Sequence, residues 1–365
     1  MQATRASSNR LQYLDWVRGL GAIIMLQGHV FDSFLKPDLR PGEAYTMSQF
    51  VGGMPPALFL FLTGVTYAFL MDSTSRKGLP AGERVLTALG RSRYLFLLAF
   101  AFRLQLFIFG LPADWQGLFR VDVLNCMGFS MAALALMSLL STRQRAWVCG
   151  ASGLAIAFAA PLVSQLNWTH VPWMLRNYIA PGLGSFSFFP WGGYLAFGLS
   201  MGSLIRLARE EGSHRLMQWS AVAGGGLVLA GQYVAGKPYS LYAKSDFWLN
   251  SPAQMLIKLG VLLLLVAVAF VWTRYGAGDG WSWVRQFGIT SLLVYWVHIE
   301  LVYGRELWFL KNNLTVPQTV VAAGGMILLM LAISTAKTHW HRVRAVLDEL
   351  GWAMGPPKPD RIAAD

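Results

Sequence analysis

Trp16-Val-Arg18-Gly-Leu-Gly-Ala-Ile-Ile-Met25-Leu-Gln-Gly-His29-Val-Phe-Asp32-Ser-Phe-Leu35 is the stretch whose reading decides the fold. It is an apolar run long enough to form one membrane span, yet it holds Arg18 and His29, eleven positions apart. At 100° per residue this makes almost three whole turns, so both side chains share one helix face, about 16 Å apart along the axis. That is about half the hydrocarbon thickness of a bilayer. Asp15 precedes Arg18 by one turn and Asp32 follows His29 by one turn. An ionisable group at membrane depth costs roughly 2.5–3.5 kcal/mol or more unless it faces protein or water. Asp15 and Arg18 taken alone are readable as an interfacial ion pair, and His29 as a hydrogen-bonded core residue. Four such groups on one face describe the wall of a polar pathway.

The rest of the chain has the composition of a membrane protein. Its 365 residues are 55% hydrophobic, with mean hydropathy +0.44, and only 13% are charged. Soluble domains carry about 25%. The expected fold class is all-α, a polytopic integral membrane protein of about ten transmembrane helices. One membrane domain is expected over 1–350, followed by a cytoplasmic, disordered tail over 351–365 that contains Pro356, Pro357 and Pro359. Cys126 and Cys149 fall near the ends of apolar runs and suit neither a disulfide framework nor a metal site. No small-residue cleavage site follows the first apolar run, so it reads as an uncleaved span.

The ten spans are expected at about 16–35, 51–71, 92–111, 122–140, 146–165, 186–205, 216–235, 253–273, 286–304 and 316–336. Under this layout, with Arg18 and Arg93 at the cytoplasmic ends of their spans counted with the termini and loops, twenty of the 30 Lys and Arg fall at the termini and in the even-numbered loops. Eight fall in the odd-numbered loops, and Arg103 and Lys258 lie within spans. That bias predicts cytoplasmic termini. It also explains the net charge of +12 as topology, so no nucleic-acid partner is expected. The loop 166–185 is long enough for a short interfacial helix or a lid. No internal repeat, Walker loop, zinc signature, Gly-x-Ser-x-Gly elbow or Rossmann fingerprint is found.

Three other segments carry candidate chemistry. In 291–303, Ser291, Tyr295 and His298 lie at i, i+4 and i+7, with Tyr303 less closely aligned, while Glu300 points elsewhere. His298 lies within about 3 Å of the depth of His29, so this stripe is expected to face that of the first span. Its plain alternative is a Tyr–His hydrogen bond that holds neighbouring helices together. Asp122 and Asn125, one turn apart, either face the same cavity or mark the membrane boundary with Arg120. Arg103 must find a carboxylate, such as Asp122, or an anionic ligand such as a phosphate. Gly198-x-x-x-Gly202 is a small-residue pattern common to many membrane helices.

Leu14-Asp15-Trp-Val-Arg18-Gly19, followed by Met25 and His29-x-x-Asp32, resembles the opening of the transmembrane acyltransferase superfamily. Arg18 with ten intervening residues before His29 is similar to the arginine–histidine signature of the acyltransferase 3 family. Arg120-Val-Asp122-Val-Leu-Asn125-Cys-Met-Gly128, Phe189-Pro-Trp-Gly-Gly-Tyr194 with Gly198 and Gly202, and Ser291-Leu-Leu-Val-Tyr295-Trp-Val-His298 look like another branch. That branch contains bacterial relatives of heparan-α-glucosaminide N-acetyltransferase. The resemblance spans about 10 to 305.

It implies a multi-pass inner-membrane acyltransferase. The implied donor is cytoplasmic acetyl-CoA or another acyl-CoA, and the acceptor a hydroxyl or amine of a cell-envelope glycan or glycolipid. No metal is implied; membrane lipids are the expected surroundings, and a homodimer is left open. By matching position, His29 takes the catalytic role and Arg18 the donor side. Many bacterial relatives carry an acid immediately before the histidine, where this chain has Gly28. Asp32 is expected to orient His29 instead, as the third member of a catalytic triad does. A sugar hydroxyl is a poor nucleophile near neutral pH, which suits a histidine base. His298 is expected to bind the acceptor or the developing oxyanion. Asp15, Arg18, Arg103, Asp122, Asn125, Ser291 and Tyr295 are expected to bind substrate or donor. The rival reading is a proton-coupled transporter or flippase with His29, Asp32 and His298 as its relay.

Overall fold

The computed structural model describes residues 11–109, 115–182, 184–237, 241–276, 280–340 and 344. Arg5, Arg10 and the 351–365 tail lie outside the described residues. Within them the chain is helical: α1 Gln12–Phe34, α2 Glu43–Gly52, α3 Pro55–Arg76, α4 Ala81–Phe109, α5 Trp115–Leu118, α6 Val123–Ala133 and α7 Thr142–Ser164. The others are α8 Trp173–Ile179, α9 Phe188–Ala235, α10 Pro252–Val271, α11 Trp283–Ile289, α12 Ser291–Tyr303 and α13 Val316–Thr338.

Among the described residues, five helical stretches are long and apolar enough to cross a membrane: Glu43–Arg76, Ala81–Ile108, Thr142–Ser164, Pro252–Gly276 and Val316–Thr338. They account for five of the ten expected spans. A sixth, 16–35, is α1, whose 23 residues are interrupted by its polar stripe. Two more, 186–205 and 216–235, are the arms of α9. Its 48 residues depart from helical backbone at Arg209 (φ 50°, ψ −164°). The last two are not continuous. Over 122–140 the eleven-residue α6 is followed by a 3₁₀ turn, and 286–304 breaks between α11 and α12 at Thr290. Gln286 donates to Ser334 and Thr338 at that break, and the hydroxyls of Thr290 and Ser334 meet there. Freed backbone at membrane depth is tolerated only beside such polar partners.

Helix association in lipid gains little from hydrophobic burial and depends on close packing and hydrogen bonds. Glycine supplies the closeness. A Cβ on Gly64 of α3 would stand 2.1 Å from the Leu195 carbonyl oxygen, and one on Gly198 of α9 2.0 Å from that of Phe61. The Gly198/Gly202 pattern is therefore a genuine α3–α9 seam. The same holds between α1 and α11. A Cβ on Gly19 would meet the Val284 carbonyl oxygen at 1.8 Å, and one on Gly288 that of Asp15 at 1.8 Å.

These seams define two apolar cores. One gathers α3, α9 and α10 around Phe61, Tyr67 and Leu195 and takes in the start of α1 through Leu14 and Val17. The other joins the later part of α1 (Leu26, Val30, Phe34) to Phe287, Val302 and Met330 of the last three helices. Helix α1 thus lies where the two cores meet, and its polar face has nowhere to go but inward.

Candidate functional site

The α1–α11 seam carries α12 alongside the second half of α1 and brings His298 against His29. His29 Nδ1 and His298 Nε2 are 2.9 Å apart, with the rings nearly parallel at 12°. His298 Nδ1 lies 2.7 Å from the Val294 carbonyl oxygen, one turn back on its own helix. A carbonyl can only accept, so in the neutral pair His298 carries its hydrogen on Nδ1 and its lone pair on Nε2. His29 must then donate from Nδ1, which leaves the lone pair of His29 on Nε2. His29 is partly exposed and lines a cavity, whereas His298 is fully buried.

This geometry corrects two of the expected roles. Asp32 does not orient His29: its carboxylate accepts from the Tyr45 hydroxyl at 3.0 Å and the Tyr303 hydroxyl at 2.9 Å. The residue on His29 Nδ1 is His298. In turn His298, with both ring nitrogens engaged and no exposed surface, has no N–H left for an acceptor or an oxyanion.

Tyr45 could not be found from the sequence. It comes from α2, which folds back over α1, tied by Gln49 donating to the Gly28 carbonyl and by Gln27 paired with Ser48. A Cβ on Gly28 would approach the Gly52 Cα to 3.3 Å. The position before His29 is thus crossed closely by α2, which leaves little room there for a larger side chain.

Several of the other expected residues line two cavities. The first, about 410 Å³, is lined by His29, Asp32, Arg103, Asp122 and Tyr303, among others. Arg103 from α4 forms an ion pair with Asp122 at 3.2 Å. Asp122 also caps α6 by accepting from the Asn125 backbone at 3.0 Å, and Asn125 donates to the Tyr178 hydroxyl of α8. Asn125 thus has a structural task, and α8 is the short helix expected within 166–185. The second cavity, about 550 Å³, is lined by Arg18, Arg91, Thr63, Thr66 and Ser291, among others. Arg18 also reaches Asp15, at 3.2 Å. Phe59, Val123 and Tyr295 line both cavities. Glu300 faces away from His29, accepting from Gln105. Lys258 is bonded to the Gly53 carbonyl and lies over the Trp191 ring.

An all-helical bundle with apolar spans and polar groups gathered around internal cavities defines an integral membrane protein with a buried polar site. Residues 10–235 match the family model described as heparan-α-glucosaminide N-acetyltransferase, catalytic, and the chain belongs to that family of transmembrane acyltransferases. It is accordingly a membrane acetyltransferase. No match was found among curated proteins. The matched region holds Arg18, His29, Asp32, Arg103, Asp122 and Asn125; Ser291, Tyr295, His298 and Tyr303 lie beyond it, in α12.

Proposed function

We propose that the protein moves an acyl group, acetyl in the first instance, from cytoplasmic acyl-CoA to a hydroxyl or amine of a cell-envelope glycan, with His29 as general base. The observation that carries this reading is the hydrogen-bond chain from His29 Nδ1 through His298 to the Val294 carbonyl. It leaves a lone pair on His29 Nε2 in a cavity, where a proton can be taken up. The acceptor oxygen or nitrogen attacks the thioester carbonyl carbon as His29 Nε2 removes its proton. The tetrahedral intermediate then collapses, its C–S bond breaks, and the proton on His29 passes to the departing CoA sulfur. His298 accepts the hydrogen bond of the imidazolium throughout and holds the ring in place.

The donor enters on the side of the second cavity. Arg18 and Arg91 offer guanidinium groups there, which suit the forked hydrogen bonding of CoA phosphates. Ser291 and Tyr295 line the same space, and the Tyr295 hydroxyl is the donor we assign to the developing oxyanion. The acceptor occupies the first cavity, beside Asp32, Arg103 and Asp122. With Arg18 near the cytoplasmic end of α1, both termini are cytoplasmic, the chain crosses the inner membrane ten times, and the acceptor cavity opens outward.

The test uses purified protein and acetyl-CoA. Wild type should be thermally stabilised by acetyl-CoA, as any native-state ligand stabilises. Surface glycans from cells with the gene should carry acyl groups that cells lacking it do not. Absence of both the stabilisation and the change in the glycans would overturn the reading and favour a transporter.

A further inference from the structure

The two cavities lie along α1, with His29 on the first and Arg18 and Arg91 on the second. Three side chains, from three different helices, border both: Phe59 of α3, Val123 of α6 and Tyr295 of α12. Residues that line two neighbouring cavities form the partition between them. This partition is braced. The Tyr295 ring packs on Phe102, with centroids 5.5 Å apart, and on His298 at 5.9 Å. Val123 is the first residue of α6, directly after Asp122, which is held by its cap to Asn125 and its ion pair with Arg103.

We infer that Phe59, Val123 and Tyr295 form an aperture between the donor and acceptor cavities, and that its width selects the acyl group by cross-section. The inference rests on the proposed acyl transfer. A donor anchored at Arg18 must span about 16 Å to present its carbonyl at His29. Its thread-like arm therefore passes between these three side chains, with the acyl group leading. A straight acyl group is no wider than the arm that follows it and passes equally well. A group branched next to the carbonyl is wider and meets a braced wall in a close-packed interior, which yields little.

Butyryl and isobutyryl groups have the same number of carbons and differ in shape, so they separate cross-section from length and hydrophobicity. The assay follows CoA release from acetyl-, butyryl- and isobutyryl-CoA in native membranes that contain the acceptor. Wild type should prefer butyryl to isobutyryl by at least about tenfold, the scale on which hydrophobic pockets discriminate single methyl-sized features. Phe59→Ala should reduce that preference at least fivefold while leaving acetyl-CoA usable, and Val123→Ala, a smaller truncation, should move it the same way. Because the readout is a ratio within one variant, a partly unfolded preparation does not distort it. If wild type releases CoA from acetyl-CoA but treats the two isomers alike, the aperture is refuted and the acyl-transfer reading stands. An unchanged ratio in both variants refutes it in the same way. If wild type releases no CoA from any of the three, the acyl-transfer reading fails and the aperture with it.

Discussion

His29 and His298 perform together what neither ring could do alone. A lone imidazole exchanges its hydrogen between two nitrogens, and only the tautomer with a free Nε2 can act as base toward the cavity. The Val294 carbonyl fixes the tautomer of His298, and His298 fixes that of His29. We expect His29→Gln to lower turnover by at least about 10²-fold, the smallest usual contribution of a general base. His298→Phe keeps the base but removes its holder. It should lower kcat about tenfold or more while leaving the apparent affinity for acetyl-CoA near wild type. Steady-state kinetics separate the two, and full kcat in His298→Phe would remove the holding role. Arg18 belongs to a different step. Arg18→Lys keeps the charge but loses the fork, so acetyl-CoA affinity should fall while kcat at saturation changes less. Unaltered affinity would leave Arg18 as a structural partner of Asp15.

The helices matter chiefly through how closely they approach. Gly19 and Gly288 let α1 and α11 touch backbone to backbone, and that contact sets the register in which α12 meets α1. A methyl group at either position would overlap a carbonyl oxygen. Gly288→Ala should therefore destabilise the protein by about 1–3 kcal/mol, the usual cost of overpacking, and reduce turnover by more than stability alone explains, because His298 is displaced. Gly225→Ala, where an added Cβ meets nothing within 4 Å, is the control and should change neither. Thermal unfolding and kinetics on the pair decide the matter. Equal behaviour of the two variants would show that the seam does not position the histidines. The break at Thr290 works at the same scale: α11 carries the seam while α12 is free to aim its own residues.

At the scale of the whole molecule, α1 lies where two apolar cores meet, and the candidate site lies along its polar face. The positive-inside bias predicts both termini in the cytoplasm. A reporter fused after Asp365 should be active only in its cytoplasmic form; periplasmic activity would reverse the assignment of donor and acceptor sides.

Much of this was legible in the sequence, for reasons of range. Helical class and apolar spans follow from local hydropathy, and the shared face of Asp15, Arg18, His29 and Asp32 follows from helical period alone. The common depth of His29 and His298 needed only a rise per residue, and the two rings do meet. What each side chain bonds to was another matter. The sequence pointed to Asp32 as the partner of His29, because it is one turn away on the same helix. The fold instead brings Tyr45 and Tyr303 to Asp32, from 13 residues and 271 residues away. It brings His298 to His29 across 269. The breaks within 122–140 and 286–304 were hidden for the same reason, since an apolar run looks continuous whether or not a neighbouring helix satisfies its interrupted backbone. Periodicity is a property of the chain and survives without a fold. Hydrogen-bond partners, cavities and the partition between them are properties of packing, and they exist only once distant helices have come within a few ångströms of one another.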